Sequence, residues 1–288
     1  MDERKEVWTM RSQVALIALA LIPGGASAQL IVGNDQSGTA TIYAIDVTTG
    51  VASPLYANSG STAKPWGMAA DNVNSILYWN NGSTLYSATY SDLLGGSPTI
   101  NSVAMTYNSA TVNFVGLGYN PTTGKLLGTR NISTEAVYEI DPSTGVASLV
   151  YTYASTYDFG GLDYDPDTAK LYGLTDTPST GRGLYSIDYV GGSETFIAGY
   201  PAGETDIDGL AVGGGRAYFV TDGPNTTQAN FYVFDLSSGT QVGTIASPFT
   251  GSGTFSAAAW APGIVPEPTS LLGLGIGLAW LASRRRKS

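Results

Sequence analysis

Gly161-Leu162-Asp163-Tyr164-Asp165-Pro166, then Leu171-Tyr172-Gly173-Leu174-Thr175, then Gly183-Leu184-Tyr185-Ser186-Ile187-Asp188, then Glu194 to Gly199 follow one another between 161 and 199. Apolar and polar residues alternate in the Tyr-x-Ile-Asp segment, the period of two that marks a half-buried strand. Each segment is five or six residues long and is followed by turn residues, as strands are. One such quartet has no closed core of its own. It needs neighbours of the same kind, so the rest of the chain is best read for copies.

The copies are there. Tyr-x-Ile-Asp recurs as Thr41-Ile42-Tyr43-Ala44-Ile45-Asp46, Ala136-Val137-Tyr138-Glu139-Ile140-Asp141 and Asn230-Phe231-Tyr232-Val233-Phe234-Asp235. A fifth copy, Thr84-Leu85-Tyr86-Ser87-Ala88-Thr89, puts Thr where the others have Asp. The Leu-Tyr segment recurs at Leu30–Asn34, Ile76–Asn80, Leu126–Arg130 and Ala217–Thr221. The small-residue segment recurs at Gly67, Gly116, Gly209 and Ala257, and the closing segment at Val51–Tyr56, Thr99–Ala104, Val146–Tyr151 and Gln241–Ala246.

The starts at 67, 116, 161, 209 and 257 are spaced by 45 to 49 residues. Four short strands per repeat of that length predict an all-β, five-bladed β-propeller of four-stranded blades. The first unit lacks its small-residue strand at the N-terminus, and the missing strand appears at the C-terminus. Pairing the chain ends within one blade closes the ring and removes the open edges of an unclosed array. A sandwich would fit the strand content. It would not predict a four-strand cycle offset by one strand at the ends.

Asn120-Pro121-Thr122-Thr123-Gly124 and Asp141-Pro142-Ser143-Thr144-Gly145 read as hairpin turns, with Pro presetting φ and Gly permitting positive φ. Gly-Leu-x-x-Asp-Pro leading into Leu-Tyr and then Ile-Asp resembles the propellers of the NHL and YVTN type, over most of residues 30–262. Such propellers share architecture rather than function.

Composition narrows the chemistry. The 288 residues include 37 Gly and 18 Tyr but no Cys and no His. Disulfides, thiol nucleophiles, the commonest general base and the commonest transition-metal ligand are therefore absent. Between Gln29 and Val265 there are 6 Lys/Arg and 19 Asp/Glu, a net charge of −13. That balance argues against nucleic acid and anionic membrane surfaces as partners.

The two ends read as addresses. Val14 to Ile22 is an apolar run ahead of Ala26-Ser27-Ala28, a small-x-small cleavage site that predicts a signal peptide over 1–28 and a mature chain from Gln29. Met10 gives a cleaner, positively charged leader than Met1 and is the expected start. At the other end stand Val265-Pro266-Glu267-Pro268, an apolar stretch within Thr269–Ser283, and Arg284-Arg285-Arg286-Lys287. Pro266 and Pro268 hold the chain extended. The terminal cations stay on the cytoplasmic side, so the preceding domain lies outside. The stretch is short for a membrane span and weakened by Gly273, Gly275 and Gly277, which suits an anchor due for removal.

This three-part tail resembles the PEP-CTERM sorting signal of exported bacterial proteins. The resemblance implies a Gram-negative producer of exopolysaccharide and processing near Pro-Glu-Pro by an exosortase, a membrane cysteine transpeptidase. The expected organisation is a signal peptide (1–28), a propeller (29–263) and a sorting signal with a short transmembrane helix (264–288). Signal peptidase and exosortase are the expected processing partners. The expected location is the inner membrane before sorting, then the cell surface or the medium.

Candidate sites are few. Asp163-x-Asp165-x-Asp167 lacks the Gly and Glu of a calcium loop, with Thr168 and Leu174 in their places, and reads as a turn. Aligning the blades places Lys64, Asn113, Asp158, Asp206 and Thr254 three residues before each small-residue start, where a loop enters the innermost strand at one mouth of the axis. These five polar residues form the candidate ligand-binding ring. Asp158 and Asp206, from adjacent blades, are the first candidates for a cation or a sugar hydroxyl. Tyr151, Tyr153, Tyr157 and Phe159 crowd the loop before the fourth blade and suggest stacking on sugar.

No catalytic residues, resident metal or cofactor are expected, a divalent cation at the mouth being the one opening left. The favoured reading is a non-enzymatic exported binding protein of the surface or matrix, linked to exopolysaccharide or another envelope component. The alternatives are a metal-dependent hydrolase or lactonase at the mouth and a scaffold for protein partners.

Overall fold

The computed structural model describes residues 29–34, 40–58, 64–132, 135–154, 156–221, 230–248 and 254–264. The signal peptide with Ala26 and Ala28, Met10, and the sorting segment from Val265 to Arg286 lie outside the described residues. Among the described residues no helix is long and apolar enough to cross a membrane.

Blade one contributes β1 (Gln29–Asn34), β2 (Ala40–Asp46) and β3 (Ala52–Asn58). Blade two is β4 (Gly67–Asp71), β5 (Ile76–Asn81), β6 (Thr84–Thr89), a short helix α1 (Tyr90–Leu94) and β7 (Asn101–Ala104). A small hairpin, β8 (Thr106–Tyr107) and β9 (Ala110–Thr111), precedes blade three: β10 (Leu117–Asn120), β11 (Lys125–Thr129), β12 (Ala136–Ile140) and β13 (Val146–Thr152). Blade four is β14 (Phe159–Asp165), β15 (Lys170–Thr175), β16 (Gly183–Asp188) and β17 (Ser193–Gly199). Blade five is β18 (Gly209–Gly213), β19 (Arg216–Val220), β20 (Asn230–Asp235) and β21 (Thr240–Ala246). The last strand, β22 (Phe255–Trp260), returns to blade one, whose order is β22-β1-β2-β3.

Five antiparallel four-stranded blades thus form a propeller. The joint is a full strand pairing, with Ile31 opposite Ala259 on one side and Ala44 on the other. The inner strands neighbour one another in the order β22, β4, β10, β14, β18 and back to β22.

The alternation of the strands explains the core. Each of the five buried apolar clusters fills one gap between adjacent blades. Trp79 and Met68 of blade two meet Ile31 and Ile42 of blade one. Phe114 and Tyr138 meet Leu85. Phe159 and Tyr185 meet Val137. Polar side chains at strand ends then lock neighbours together. Asn80 donates to Phe114 O at 2.6 Å and accepts from Gly67 N at 2.9 Å. Thr129 donates to Phe159 O at 2.7 Å, and Ser256 to Pro65 O at 3.1 Å.

The repeated Asp residues act as turn builders. Asp46, Asp141, Asp188 and Asp235 each accept two backbone N–H groups from the turn that follows, as Asx turns do. Thr89, the exception, instead caps α1, its hydroxyl accepting from Asp92 N at 3.1 Å. The helix and the β8–β9 hairpin, whose β8 runs parallel to β13, are additions that the repeat did not predict.

Candidate functional site

The inner strands begin at the expected mouth. At the apolar register position Pro65, Phe114, Phe159, Ile207 and Phe255 are all buried. The polar position before it is more open: Asn113 is exposed, and Lys64, Asp158, Asp206 and Thr254 are half-buried. Asp158 donates its backbone N–H to Thr175 Oγ1 at 3.2 Å, so its loop is tied to the second strand of its own blade.

Asp158 and Asp206 come within electrostatic reach across the blade four–blade five boundary. Burial, and then the Asp206 charge, raise the Asp158 pKa from its ordinary value. Two further acids, unforeseen from the sequence, join them. Asp176, the residue after β15, is raised by burial and then by Asp158 and Asp206, with Arg182 opposing. Glu135, the residue before β12, is pushed up to about 7 by burial and then by Asp158, while the Tyr153 hydroxyl, 3.3 Å from Glu135 Oε2, pulls the other way. The signal for Asp176 was its place directly after the Leu-Tyr strand. Lys64 and Asn113, on blades two and three, are not part of this acidic group, which gathers on blades three to five.

Below the mouth the axis is plugged. Met68, Leu117, Leu162, Leu210 and Ala258 line a space that admits no water. Glycine makes this closeness possible: a Cβ on Gly116 would lie 2.7 Å from Gly160 O, far inside contact distance. Asp208, two residues beyond Asp206, also lines this space and lies against Gly160. A ligand at the mouth would therefore rest on a floor rather than enter a channel.

The aromatic expectation needs correction. Tyr153 and Phe159 are 4% and 1% exposed. They pack edge-on at 5.0 Å between ring centroids, with Tyr157 stacked on Phe159 at 5.3 Å. Apolar burial between blades three and four claims Tyr153 and Phe159, which offer no open face to a sugar, while Tyr151 and Tyr157 are half-buried. Tyr151 donates to Glu194 Oε1 at 2.6 Å.

The Asp163-x-Asp165-x-Asp167 run is the end of β14 followed by the turn that its sequence indicates. Asp165 Oδ1 accepts from Asp167 N at 3.1 Å. Asp163 is buried, its Oδ1 accepting from Tyr164 N at 2.8 Å and its Oδ2 from Val212 N of blade five at 2.7 Å. Among the described residues no group of three acids, His or Cys is placed to hold a metal ion.

Residues 265–287 match the PEP-CTERM protein-sorting motif. No curated protein matches the chain in sequence. A crystal structure of a nidogen/laminin complex superposes with a TM-score of 0.52 at 13% identity, covering 84% of this chain and 100% of the matched one. TolB from Acinetobacter baumannii gives 0.48 at 14% identity over 84% of this chain and 69% of its own. The first likeness supports the propeller fold and nothing beyond it.

Proposed function

We propose that the chain is an exported, non-enzymatic binding protein, sorted through its tail, whose polar mouth contacts exopolysaccharide or another envelope polymer at the cell surface or in the matrix. The sorting motif implies export and a membrane-anchored sorting intermediate processed by exosortase. One observation carries the reading: Ile264 is fully buried against Tyr90 and Ala261, and the sorting motif begins at the next residue. The propeller itself is the cargo, joined to its address without a spacer.

β22 runs from Phe255, next to Thr254 at the mouth, to Trp260 at the other end. The mouth of Lys64, Asn113, Asp158, Asp206 and Thr254 then faces away from the membrane while the tail is anchored. Half-buried carboxylates from adjacent blades, Asp158 and Asp206, suit the hydroxyls of a polymer chain.

The test is retention of the full chain on the producer's exopolysaccharide. Retention that Asp158→Asn/Asp206→Asn reduces at least tenfold supports the mouth. Undiminished retention moves binding elsewhere, and no retention of the wild type sinks the polysaccharide reading. A divalent ion that co-purifies and is lost in Asp158→Ala would favour the hydrolase reading, which the mutual field of Asp158 and Asp206 keeps in view.

A further inference from the structure

The opposite end of the axis carries a second cavity. The fourth residues of the five aligned inner segments are Ala70, Tyr119, Tyr164, Val212 and Trp260, and all five line it. It has about 50 Å³ of space for water centres, room for a few waters or one compact group. Among the described residues Asp163 is on its lining, and no Lys or Arg is.

Three aromatic residues form much of the wall, and two of them are fixed in place. Tyr119 stacks on Tyr78 with centroids 5.9 Å apart and 21° between planes. Trp260 stacks on Tyr218 at 5.2 Å and 11°. The indole lies across Gly213, where any Cβ would overlap it. Asn72 Nδ2 donates to Trp260 O at 3.0 Å and Tyr90 donates to Asn72 Oδ1 at 2.7 Å, tying the wall of blade one to blade two. Two of the three rings are therefore held in place before any ligand arrives.

The electrostatics select the ligand. Buried acids stand around this end: Asp163 on the lining, Asp165 one residue past Tyr164, and Asp71 beside Tyr119. Ring faces attract cations through their quadrupoles, most strongly where water is excluded, and Trp is the best of them. Among the described residues the lining offers an anion no cationic side chain. The carboxylates themselves are bonded within the fold, Asp163 to Tyr164 N and Val212 N, Asp165 to Asp167 N and Thr168 Oγ1, and Asp71 to Val73 N and Asn74 N, so the ring faces rather than open carboxylate oxygens set the preference for a cation.

We propose that this cavity is a cage for a compact organic cation, a methylated or quaternary ammonium group, held by the rings of Trp260, Tyr119 and Tyr164. The site is distinct from the polar mouth and stands whether or not the mouth binds polymer. It lies on the face from which the tail departs. Trp260 precedes Val265 by five residues, which keeps the start of the sorting motif within roughly 18 Å of Trp260.

The probe is choline, titrated by calorimetry into the full chain in a non-ionic detergent, against its neutral carbon analogue 3,3-dimethyl-1-butanol. The expected result is choline binding at least tenfold tighter than the neutral analogue. Trp260→Ala should remove it, and Trp260→Phe should retain a weakened preference. Equal affinity for the two probes, or no choline binding up to millimolar concentration, overturns the cage. So does unchanged binding in Trp260→Ala. If Trp260→Ala fails to fold, the probe comparison on wild type and Trp260→Phe decides the matter alone. The mouth variant Asp158→Asn/Asp206→Asn should bind choline as the wild type does, which separates failure of the cage from failure of the mouth.

Discussion

Asp163 of blade four accepts the backbone N–H of Val212 of blade five at 2.7 Å, inside the fold and next to the axis. Its other oxygen accepts from Tyr164 N at 2.8 Å. One short side chain thus satisfies two buried donors on two blades. Asp163→Ala leaves both without partners, at about 1–3 kcal/mol each. Thermal melting should show Asp163→Ala well below wild type and Asp163→Asn, which keeps one acceptor, between them. Equal melting temperatures for Asp163→Ala and wild type would mean that the side chain does not join the blades.

Asn80 is the second such joint. It accepts from Gly67 N and donates to Gly82 O and to Phe114 O of blade three. Thr129, at the corresponding strand end of blade three, donates one bond, to Phe159 O of blade four. Asn80→Ala should cost about 2–3 kcal/mol in denaturant unfolding and Thr129→Ala about 1 kcal/mol, following the number of buried groups orphaned. The reverse order would show that bond number does not set the strength of a blade joint.

Gly213 has no side chain because the Trp260 indole occupies the place where one would be. Gly213→Ala forces the indole off the end of β18, and overpacking of this kind costs about 1–3 kcal/mol. The expected signature is a lower melting temperature together with red-shifted tryptophan emission, since Trp260 becomes wetter. An unshifted spectrum with wild-type stability would place the indole elsewhere.

The mouth predicts a pH dependence of stability. Glu135 in the folded chain titrates at about 7, against about 4.3 in an unfolded chain. Between those values the folded state holds the extra proton. The contribution is therefore complete below about pH 4.3 and is lost as pH rises through 7. Asp158 and Asp176 shift in the same direction. The wild-type melting temperature should fall from pH 5 to pH 8, by about 2–4 °C for each kcal/mol lost in a domain of this size. Glu135→Gln should flatten much of that slope. A slope that persists unchanged would assign the effect to other groups.

The ring was legible in the sequence because its determinants are local and repeated. The alternation around Tyr43, Tyr138 and Tyr185, the turn-building Asp46, Asp141 and Asp235, and the offset of Leu30 against Trp260 all recur at fixed register. The additions were less legible because each occurs once. Thr89 at an Asp position was the visible trace of α1, and the β8–β9 hairpin left no repeat signal. At the mouth, Asp158 and Asp206 followed from alignment of the blades. Glu135 and Asp176 did not, since they reach the site from other strands. The cage is the instructive omission: Tyr119, Tyr164 and Trp260 share one register position, which the aligned segments already displayed. The buried Tyr153 and Phe159 teach the converse, that a crowded aromatic loop is as readily a blade interface as an open surface.

A sorting tail fused without a spacer to the last strand makes the whole propeller the exported cargo. Intact-mass spectrometry of the protein released by a producer strain, with and without its exosortase, tests this at its root. The expected result is a released chain that begins at Gln29 and ends close to Pro266–Pro268 when exosortase is present, and membrane-held chains that keep Arg284–Arg286 when it is absent. Released protein carrying the intact tail in both strains would contradict it.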